Sequence, residues 1–394
     1  MKLKRYNSFL ESKSDMFNII PQSIKDLNNI FKKAGKKLYL VGGSVRDFLT
    51  GDKPKDFDLA TDALPDEVVK ILKSNNYQFN LQGKAFGVVV VYTEDQPSGM
   101  EIATFREDIS KGRNPEVKLG VTIEDDVKRR DLTYNSLFYD LDNRKIVDLV
   151  GGKGDLEHGI TRMVGDPFER FDEDSLRILR AFRFASRYGH SIHPDTENAI
   201  KKRKKLENID PETGNMKRIS QERIWEEITK SWKQAKDFNY YLNLFTKYDM
   251  WNEVFPGSNI NTNLVDSKDF IVVIANLFKN ESPIGLEKRL IQDYKLPDSP
   301  ESGKLASKVA FLISLFDFTP EEVMRFYKEK QRTSIDDSTI LEWIELNDID
   351  NEYLIKFVNY KPTISAKDLM DKGFKGAELG REIKRLEIEK FKNN

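Results

Sequence analysis

Hydrophobic and polar positions divide the chain into two parts with different periodicities. Up to about residue 150, short apolar runs rich in β-branched and aromatic residues alternate with turn residues, as in β-strands. These runs predict strands at 38–41, 87–92, 100–105, 136–141 and 145–150. Helical spacing of apolar residues predicts helices at about 22–35 and 65–75. The first part is therefore predicted to be a mixed sheet carrying helices on one side.

After about residue 166 the strand pattern fades, and segments of good helix formers with helical periodicity take over. The clearest helical segments are 173–189, 195–208, 220–234, 319–330 and 365–373. We predict an α+β fold for the first third of the chain and an all-α fold for the rest.

Composition narrows the possible chemistry. The 64 Lys and Arg residues balance 65 Asp and Glu residues, giving a net charge of −1, which excludes a uniformly basic nucleic-acid coat but not a local basic face. The chain has no cysteine, which excludes disulfides, thiolate metal sites and cysteine nucleophiles. Its three histidines are too few for us to expect a multi-histidine metal site. No apolar run approaches the roughly 18–20 residues of a membrane span, so we expect a soluble, cytoplasmic protein without a membrane partner.

The segment 38–49 has the pattern of a strand, a Gly-Gly turn and a helix start. Gly42 and Gly43 would let backbone N–H groups approach an anion closely, and the dipole of the following helix would favour negative charge there. Arg46, in the first helical turn, is expected to face the same anion. The pattern alone also fits a plain turn.

Two carboxylates follow the turn. Asp56 and Asp58 alternate along a predicted strand and so project from one face, where they repel each other unless a cation lies between them. Mg²⁺ is the natural cation, because it takes hard oxygen ligands and keeps positions open for phosphate. Glu101, in another predicted strand, is a candidate third carboxylate, although an exposed strand charge fits it equally well.

These motifs together resemble the DNA polymerase beta superfamily of nucleotidyltransferases, and more specifically the class II tRNA CCA-adding enzymes and the bacterial poly(A) polymerases. The resemblance runs through five motifs over about residues 38–230. It implies that Asp56 and Asp58 hold two Mg²⁺ ions, that Glu101 joins them as a catalytic carboxylate, and that a tRNA 3′-hydroxyl attacks the α-phosphate of the incoming nucleotide. Gly43 and Arg46 would hold the triphosphate.

Two further motifs carry nucleotide contacts in the family. Arg130 and Asp131 belong to an Arg-Arg-Asp run, and three residues lie between this run and Asn135. The resemblance implies that Arg130 contacts the triphosphate and that Asp131 and Asn135 handle the ribose. In the segment 169–189, Asp174 and Arg177 match the pair that serves the family as a protein template for cytosine or adenine. Arg180 and Arg183 match its further nucleotide contacts.

The resemblance also implies a domain order. A nucleotidyltransferase head at 1–140, with an N-terminal extension at 1–21, is followed by a helical neck at 141–230 and an all-α, RNA-binding body and tail at 231–394. The dense basic run 201–205 is either an RNA-backbone patch or a solvated helix end.

The segment 83–91 matches the CCA-adding pattern better than the poly(A) polymerase pattern, whereas 135–140 leans the other way. We give the first more weight because it covers more residues. The expected activity is addition of CCA to the tRNA acceptor end from CTP and ATP, with no role for DNA. Poly(A) polymerase, an A-adding or CC-adding specialist and, remotely, a non-catalytic RNA-binding module stay open, as does the oligomeric state. No histidine follows His193, so a C-terminal phosphohydrolase domain of the His-Asp type is not expected.

Overall fold

The computed structural model describes residues 16–54, 56–110, 116–210, 213–298 and 303–393. Most of the predicted N-terminal extension lies outside these residues. The chain forms two compact units, 1–244 and 245–394, with the division inside one helix. No helix in the described ranges is long and apolar enough to cross a membrane.

The first unit is built on a seven-stranded mixed sheet with the strand order β3-β4-β5-β2-β1-β8-β9. The strands of this sheet are β1 (Leu38–Val41), β2 (Asp58–Thr61), β3 (Gln78–Asn80), β4 (Val88–Thr93), β5 (Gln96–Thr104), β8 (Phe138–Asp140) and β9 (Lys145–Val147). Outside it lie three short pairs, formed by β6 (Arg106–Asp108) with β7 (Val117–Leu119), β10 (Ile160–Thr161) with β11 (Ser191–Ile192), and β12 (Glu207–Ile209) with β13 (Met216–Arg218).

Eleven helices of the first unit fall within the described residues. They are α1 (Met16–Ile19), α2 (Gln22–Lys33), α3 (Gly43–Thr50), α4 (Pro65–Ser74), α5 (Ile123–Lys128), α6 (Gly152–His158), α7 (Pro167–Glu173), α8 (Leu176–Tyr188), α9 (Pro194–Lys202), α10 (Gln221–Gln234) and α11 (Phe238–Lys247), which crosses into the second unit.

Strand β1 lies inside the sheet, between β2 and β8, and its four residues are all buried. It pairs antiparallel with both β2 and β8, and β2 pairs in parallel with β5. Tyr39, Phe105 and Phe138 form the aromatic centre of this core, with ring centroids 5.8–6.2 Å apart. The sheet therefore brings the end of β1, the start of β2 and the inner part of β5 side by side.

The second unit contains helices and connecting loops but no strand among its described residues. Its helices are α12 (Trp251–Val254), α13 (Phe270–Phe278), α14 (Leu286–Gln292), α15 (Leu305–Ser314), α16 (Val323–Thr333), α17 (Asp337–Leu346), α18 (Glu352–Val358), α19 (Ala366–Asp371) and α20 (Gly376–Asn393). Phe318, Phe326 and Phe357 form part of its aromatic core. The predicted α+β class is thus confirmed.

Two local predictions were wrong. The helix predicted at 173–189 begins only at Leu176, because Asp174 adopts an extended conformation (φ −152°, ψ 104°) and its side chain accepts a hydrogen bond from the N–H of Leu176 at 3.2 Å. Aspartate favours such local side-chain bonds over a helix interior. The segment 195–208 is helical only to Lys202, and the hairpin of β12 and β13 follows. Five adjacent basic residues at 201–205 repel one another, which disfavours a longer helix.

Candidate active site

A Gly-Gly turn and a carboxylate meet at one end of the central strands. Val41 pairs with Asp58, so the turn at Gly42 and Gly43 lies beside the start of β2. Gly42 has φ +70°, a conformation that favours glycine, and the first turn of α3 begins at Gly43. The predicted anion-binding turn and the predicted acidic strand are therefore neighbours.

Three exposed carboxylates converge at this point. Leu59 is in parallel register with Ile102, which places Asp58, at the start of β2, next to Glu101 inside β5. Burial raises the pKa of Asp58, and the neighbouring carboxylates of Glu101 and Asp56 raise it further, while Arg130 acts in the opposite direction. The side chain of Asp58 remains accessible to water. Sequence reasoning left the place of Glu101 open, and the sheet brings it to the pair.

The donor set of this cluster fits Mg²⁺. Within the described ranges, no group of three or more His, Cys, Asp or Glu side chains is spaced to hold a metal ion by itself. Mg²⁺ differs from metals bound in all-protein cages, because it is usually held by one or two carboxylates together with substrate phosphates and water. The hard oxygens of Asp56, Asp58 and Glu101 meet that requirement.

Arg130 approaches the cluster from the end of α5, and a buried acid holds it. Asp126 is 1% exposed and accepts hydrogen bonds from Arg129 Nε at 2.9 Å and from Arg130 Nη2 at 2.8 Å. Burial opposes the ionisation of Asp126, but the two guanidinium groups hold its pKa below the ordinary value. Sequence reasoning missed Asp126, although an acid four residues before an arginine on a helix is a recognisable signal.

Arg46 is buried instead of facing the turn from outside. Its guanidinium donates to Asn135 Oδ1 at 2.5 Å and to Asp47 Oδ1 at 2.7 Å, and it lies over the ring of Phe184. Asp47 also accepts from the hydroxyl of Tyr188. Arg46 therefore ties α3 to Asn135 and to α8.

Asp131 and Arg180 form a bidentate ion pair between the Arg-Arg-Asp segment and α8. Arg180 donates to Asp131 Oδ2 through Nε at 2.8 Å and Nη2 at 2.5 Å. The other oxygen accepts from the N–H of Leu132 and from Asn135. Burial would raise the pKa of Asp131, but Arg180 holds it well below the ordinary range. Both carboxylate oxygens thus have protein partners.

Asp174 and Arg177 lie one helical turn apart and have different partners. Asp174 accepts from Arg223 Nη2 at 2.7 Å and from Asn208 Nδ2 at 2.9 Å. Arg177 pairs with Glu173 and donates to the carbonyl of Arg129 at 3.2 Å. Arg177 therefore connects the start of α8 to the segment that carries Arg130.

Arg183 lies inside the helical part of the first unit, between α8 and α10. It is 5% exposed and donates to Glu227 Oε2 at 2.6 Å and to Gln234 Oε1 at 3.1 Å. Glu227 is itself 3% exposed. This buried ion pair joins α8 to α10, and sequence reasoning did not single out Glu227.

Comparisons with known proteins agree with this architecture. The family model described as the poly(A) polymerase head domain matches residues 38–162. Poly(A) polymerase I of Salmonella typhi is 35% identical over 301 residues, which cover 73% of this chain and 58% of that protein. The CCA-adding enzyme of Bacillus subtilis is 41% identical over 181 residues, covering 45% of this chain and 44% of that protein. The chain belongs to the family of class II CCA-adding enzymes and bacterial poly(A) polymerases.

Solved structures of the family share the fold over almost the whole chain. The CCA-adding enzyme of Bacillus stearothermophilus in complex with CTP has a TM-score of 0.63 at 23% identity, covering 93% of this chain and 91% of that one. A CCA-adding enzyme in complex with ATP has a TM-score of 0.68 at 21% identity, covering 96% and 92%. The alignments with the curated poly(A) polymerases span about half to three fifths of those proteins' length. The family predicted from the motifs is confirmed.

Proposed function

We propose that this protein is a nucleotidyltransferase that adds C and A nucleotides, from CTP and ATP, to the 3′ end of tRNA. The observation that carries the proposal is the meeting of the Gly42–Gly43 turn with Asp58 and Glu101 on neighbouring strands. A phosphate-binding turn beside a set of carboxylates is the arrangement that phosphoryl transfer needs.

Asp56 and Asp58 would hold Mg²⁺, with Glu101 beside them. When bound, the two metal ions supply positive charge that favours ionisation of the attacking 3′-hydroxyl and stabilises the departing pyrophosphate. The raised pKa of Asp58 suits this role, because a cation removes the repulsion from Asp56 and Glu101. No side chain is needed as a general base.

The triphosphate would be held by the backbone at Gly43 and by Arg130, which Asp126 keeps close to Asp58. A forked guanidinium suits this contact. Arg46 would act indirectly, because its donors to Asp47 and Asn135 fix the turn from behind. Asn135, Asp131 and Arg180 would support the ribose side of the pocket as one hydrogen-bonded group.

Asp174 and Arg177 would select the base. A carboxylate accepts from the exocyclic amine of cytosine or adenine, and a guanidinium donates to the ring nitrogen. Uracil and guanine present the opposite pattern at these edges and would leave buried polar groups unpaired, which is costly. Arg183 has a structural role in this account, since its guanidinium is buried against Glu227.

Poly(A) tailing is the second candidate, because poly(A) polymerases are also similar to this chain at 35% identity. The higher identity with CCA-adding enzymes, 41% over 181 and over 217 residues, favours CCA addition. We further propose that the head spans 1–140, that the neck spans 141–230, and that the helices of 231–394 bind the RNA.

The test is incorporation of labelled CTP and ATP into tRNA that lacks its 3′ CCA, with the Asp58→Ala variant. We expect activity to fall by at least about 10³-fold. Asp66→Ala, which removes an exposed carboxylate at the start of α4, is the matched control and should leave the rate unchanged. An active Asp58→Ala enzyme would refute the proposal.

A further inference from the structure

The carboxylate of Asp174 lies in the break between α7 and α8, where donors from three elements hold it. The N–H of Leu176 and the side-chain amide of Asn208 both donate to Oδ1, at 3.2 and 2.9 Å. Arg223 of α10 donates to Oδ2 at 2.7 Å. A carboxylate oxygen can accept two hydrogen bonds, so Oδ2 can accept one more in addition to the bond from Arg223.

Asn208 also holds the residue that follows. Its Oδ1 accepts from the backbone N–H of Ser175 at 2.8 Å and from the Ser175 hydroxyl at 3.1 Å. Because a backbone N–H can only donate, the oxygen of the Asn208 amide must face Ser175, and its NH₂ group must face Asp174. Ser175 is 2% exposed, so this contact is part of the interior.

Asn208 belongs to the short hairpin of β12 and β13, and it is not among the residues that the family resemblance assigns to the site. It pairs with Lys217 across the hairpin, and most of the hairpin's other described residues are exposed. The hairpin thus contributes one side chain to the break between α7 and α8 while its opposite side faces water.

We propose that Asn208 is a specificity-determining positioning residue, which fixes the orientation of the Asp174 carboxylate toward the incoming base. The inference rests on the proposed function, in which Asp174 accepts from the exocyclic amine of C or A. An amide is required at this position because it accepts from Ser175 and donates to Asp174 at the same time. An aspartate would satisfy Ser175 but would face Asp174 with a second negative charge.

The test is the Asn208→Asp variant of the full chain. It keeps the acceptor for Ser175, removes the donor to Asp174 and leaves the side-chain volume almost unchanged. We expect the preference for CTP and ATP over UTP and GTP, measured as the ratio of kcat/KM values on tRNA lacking CCA, to fall by about 10-fold or more. The control is Asn215→Asp, the same change at an exposed position of the same hairpin, which should keep the wild-type ratio.

The outcomes separate this inference from the proposed function. Wild-type selectivity in Asn208→Asp, together with lost selectivity in Asp174→Ala, would overturn the role of Asn208 and leave the proposed function intact. Wild-type selectivity in Asp174→Ala would instead show that Asp174 does not select the base. If Asn208→Asp does not fold, Asn208→Ser is judged by the same ratio, because its hydroxyl is too short to orient Asp174.

Discussion

Asp58 shows how the site's chemistry acts against the stability of the fold. Its pKa is raised by burial and by two neighbouring carboxylates, so the folded state holds the proton more tightly than the unfolded chain. The stability from this group is therefore present at acidic pH, below the ordinary pKa of aspartate. It is lost as the pH rises through the higher folded-state pKa. At neutral pH without metal, the charged side chain disfavours folding.

The Asp58→Asn variant should consequently melt at a higher temperature than the wild type in EDTA at pH 7. The gain should not exceed about 2 °C, because water screens the repulsion at this accessible side chain. Adding Mg²⁺ should raise the wild-type midpoint and leave the variant's midpoint unchanged. A thermal melt of both proteins checks this, and an equal response to Mg²⁺ would show that Asp58 does not bind it.

Gly152 illustrates a requirement for close packing that the sequence alone does not reveal. A Cβ atom added at Gly152 would lie 2.2 Å from the carbonyl oxygen of Thr133, whereas one at Gly154 of the same helix meets nothing within 4 Å. We expect Gly152→Ala to lower the free energy of unfolding by about 2–3 kcal/mol. Gly154→Ala should be neutral or stabilising by up to about 1 kcal/mol. Urea titration of both variants gives the comparison, and equal stabilities would contradict it.

At the scale of elements, periodicity predicted several helices and most strands of the central sheet, but not their interruptions, the short strand pairs outside the sheet or the last helix, α20. Strand β1 and helix α10 were predictable because each carries an uninterrupted pattern of buried positions. The break at Asp174 was not, since it depends on Asn208 and Arg223, which come from elements 34 and 49 residues further along the chain. A single-sequence pattern contains no information about such partners.

The α8–α10 contact depends on the buried pair of Arg183 and Glu227. Replacing Glu227 by Leu leaves the Arg183 charge buried without its partner, and we expect this to cost about 3–5 kcal/mol of unfolding free energy. The double variant Arg183→Met with Glu227→Leu should recover most of that loss. Equilibrium urea denaturation measures both.

The matched comparison is the exposed pair of Lys230 and Glu226 on α10. Glu226→Leu should leave the urea midpoint close to that of the wild type, because exposed pairs contribute little. If Glu227→Leu behaved in the same way, the buried pair would not hold α8 against α10, and the resemblance-based role of Arg183 at the nucleotide would regain its support.

For the whole molecule, the α+β class and the family could be predicted from the sequence. The structure adds the pairing of the strands that brings the carboxylates together. Asp56 and Asp58 could be predicted as metal ligands because they lie two residues apart and therefore project from the same face of a strand. Glu101 could be named only as a candidate, because its place beside Asp58 depends on the parallel pairing of β2 with β5. Arg46 and Arg183 were predicted from the motif as nucleotide contacts, yet the structure buries both among protein partners. Their burial depends on Phe184 and Glu227, which periodicity does not connect to them.

The balanced charge of the chain also has a structural explanation at this scale. Many of the arginines near the site are paired with acids of the same unit, as Arg130 is with Asp126 and Arg180 with Asp131. A site that binds Mg²⁺ through carboxylates needs no thiol or imidazole ligands. This agrees with a composition that has no cysteine and only three histidines.

The most direct test of the account offers the protein three tRNAs, which end before the first C, before the second C and before the terminal A, with each nucleoside triphosphate alone. We predict CMP addition to the first two, AMP addition to the third, and no use of UTP or GTP. Growth of long A tails on all three tRNAs and on unrelated RNA, with ATP as the only substrate, would contradict CCA addition and identify a poly(A) polymerase.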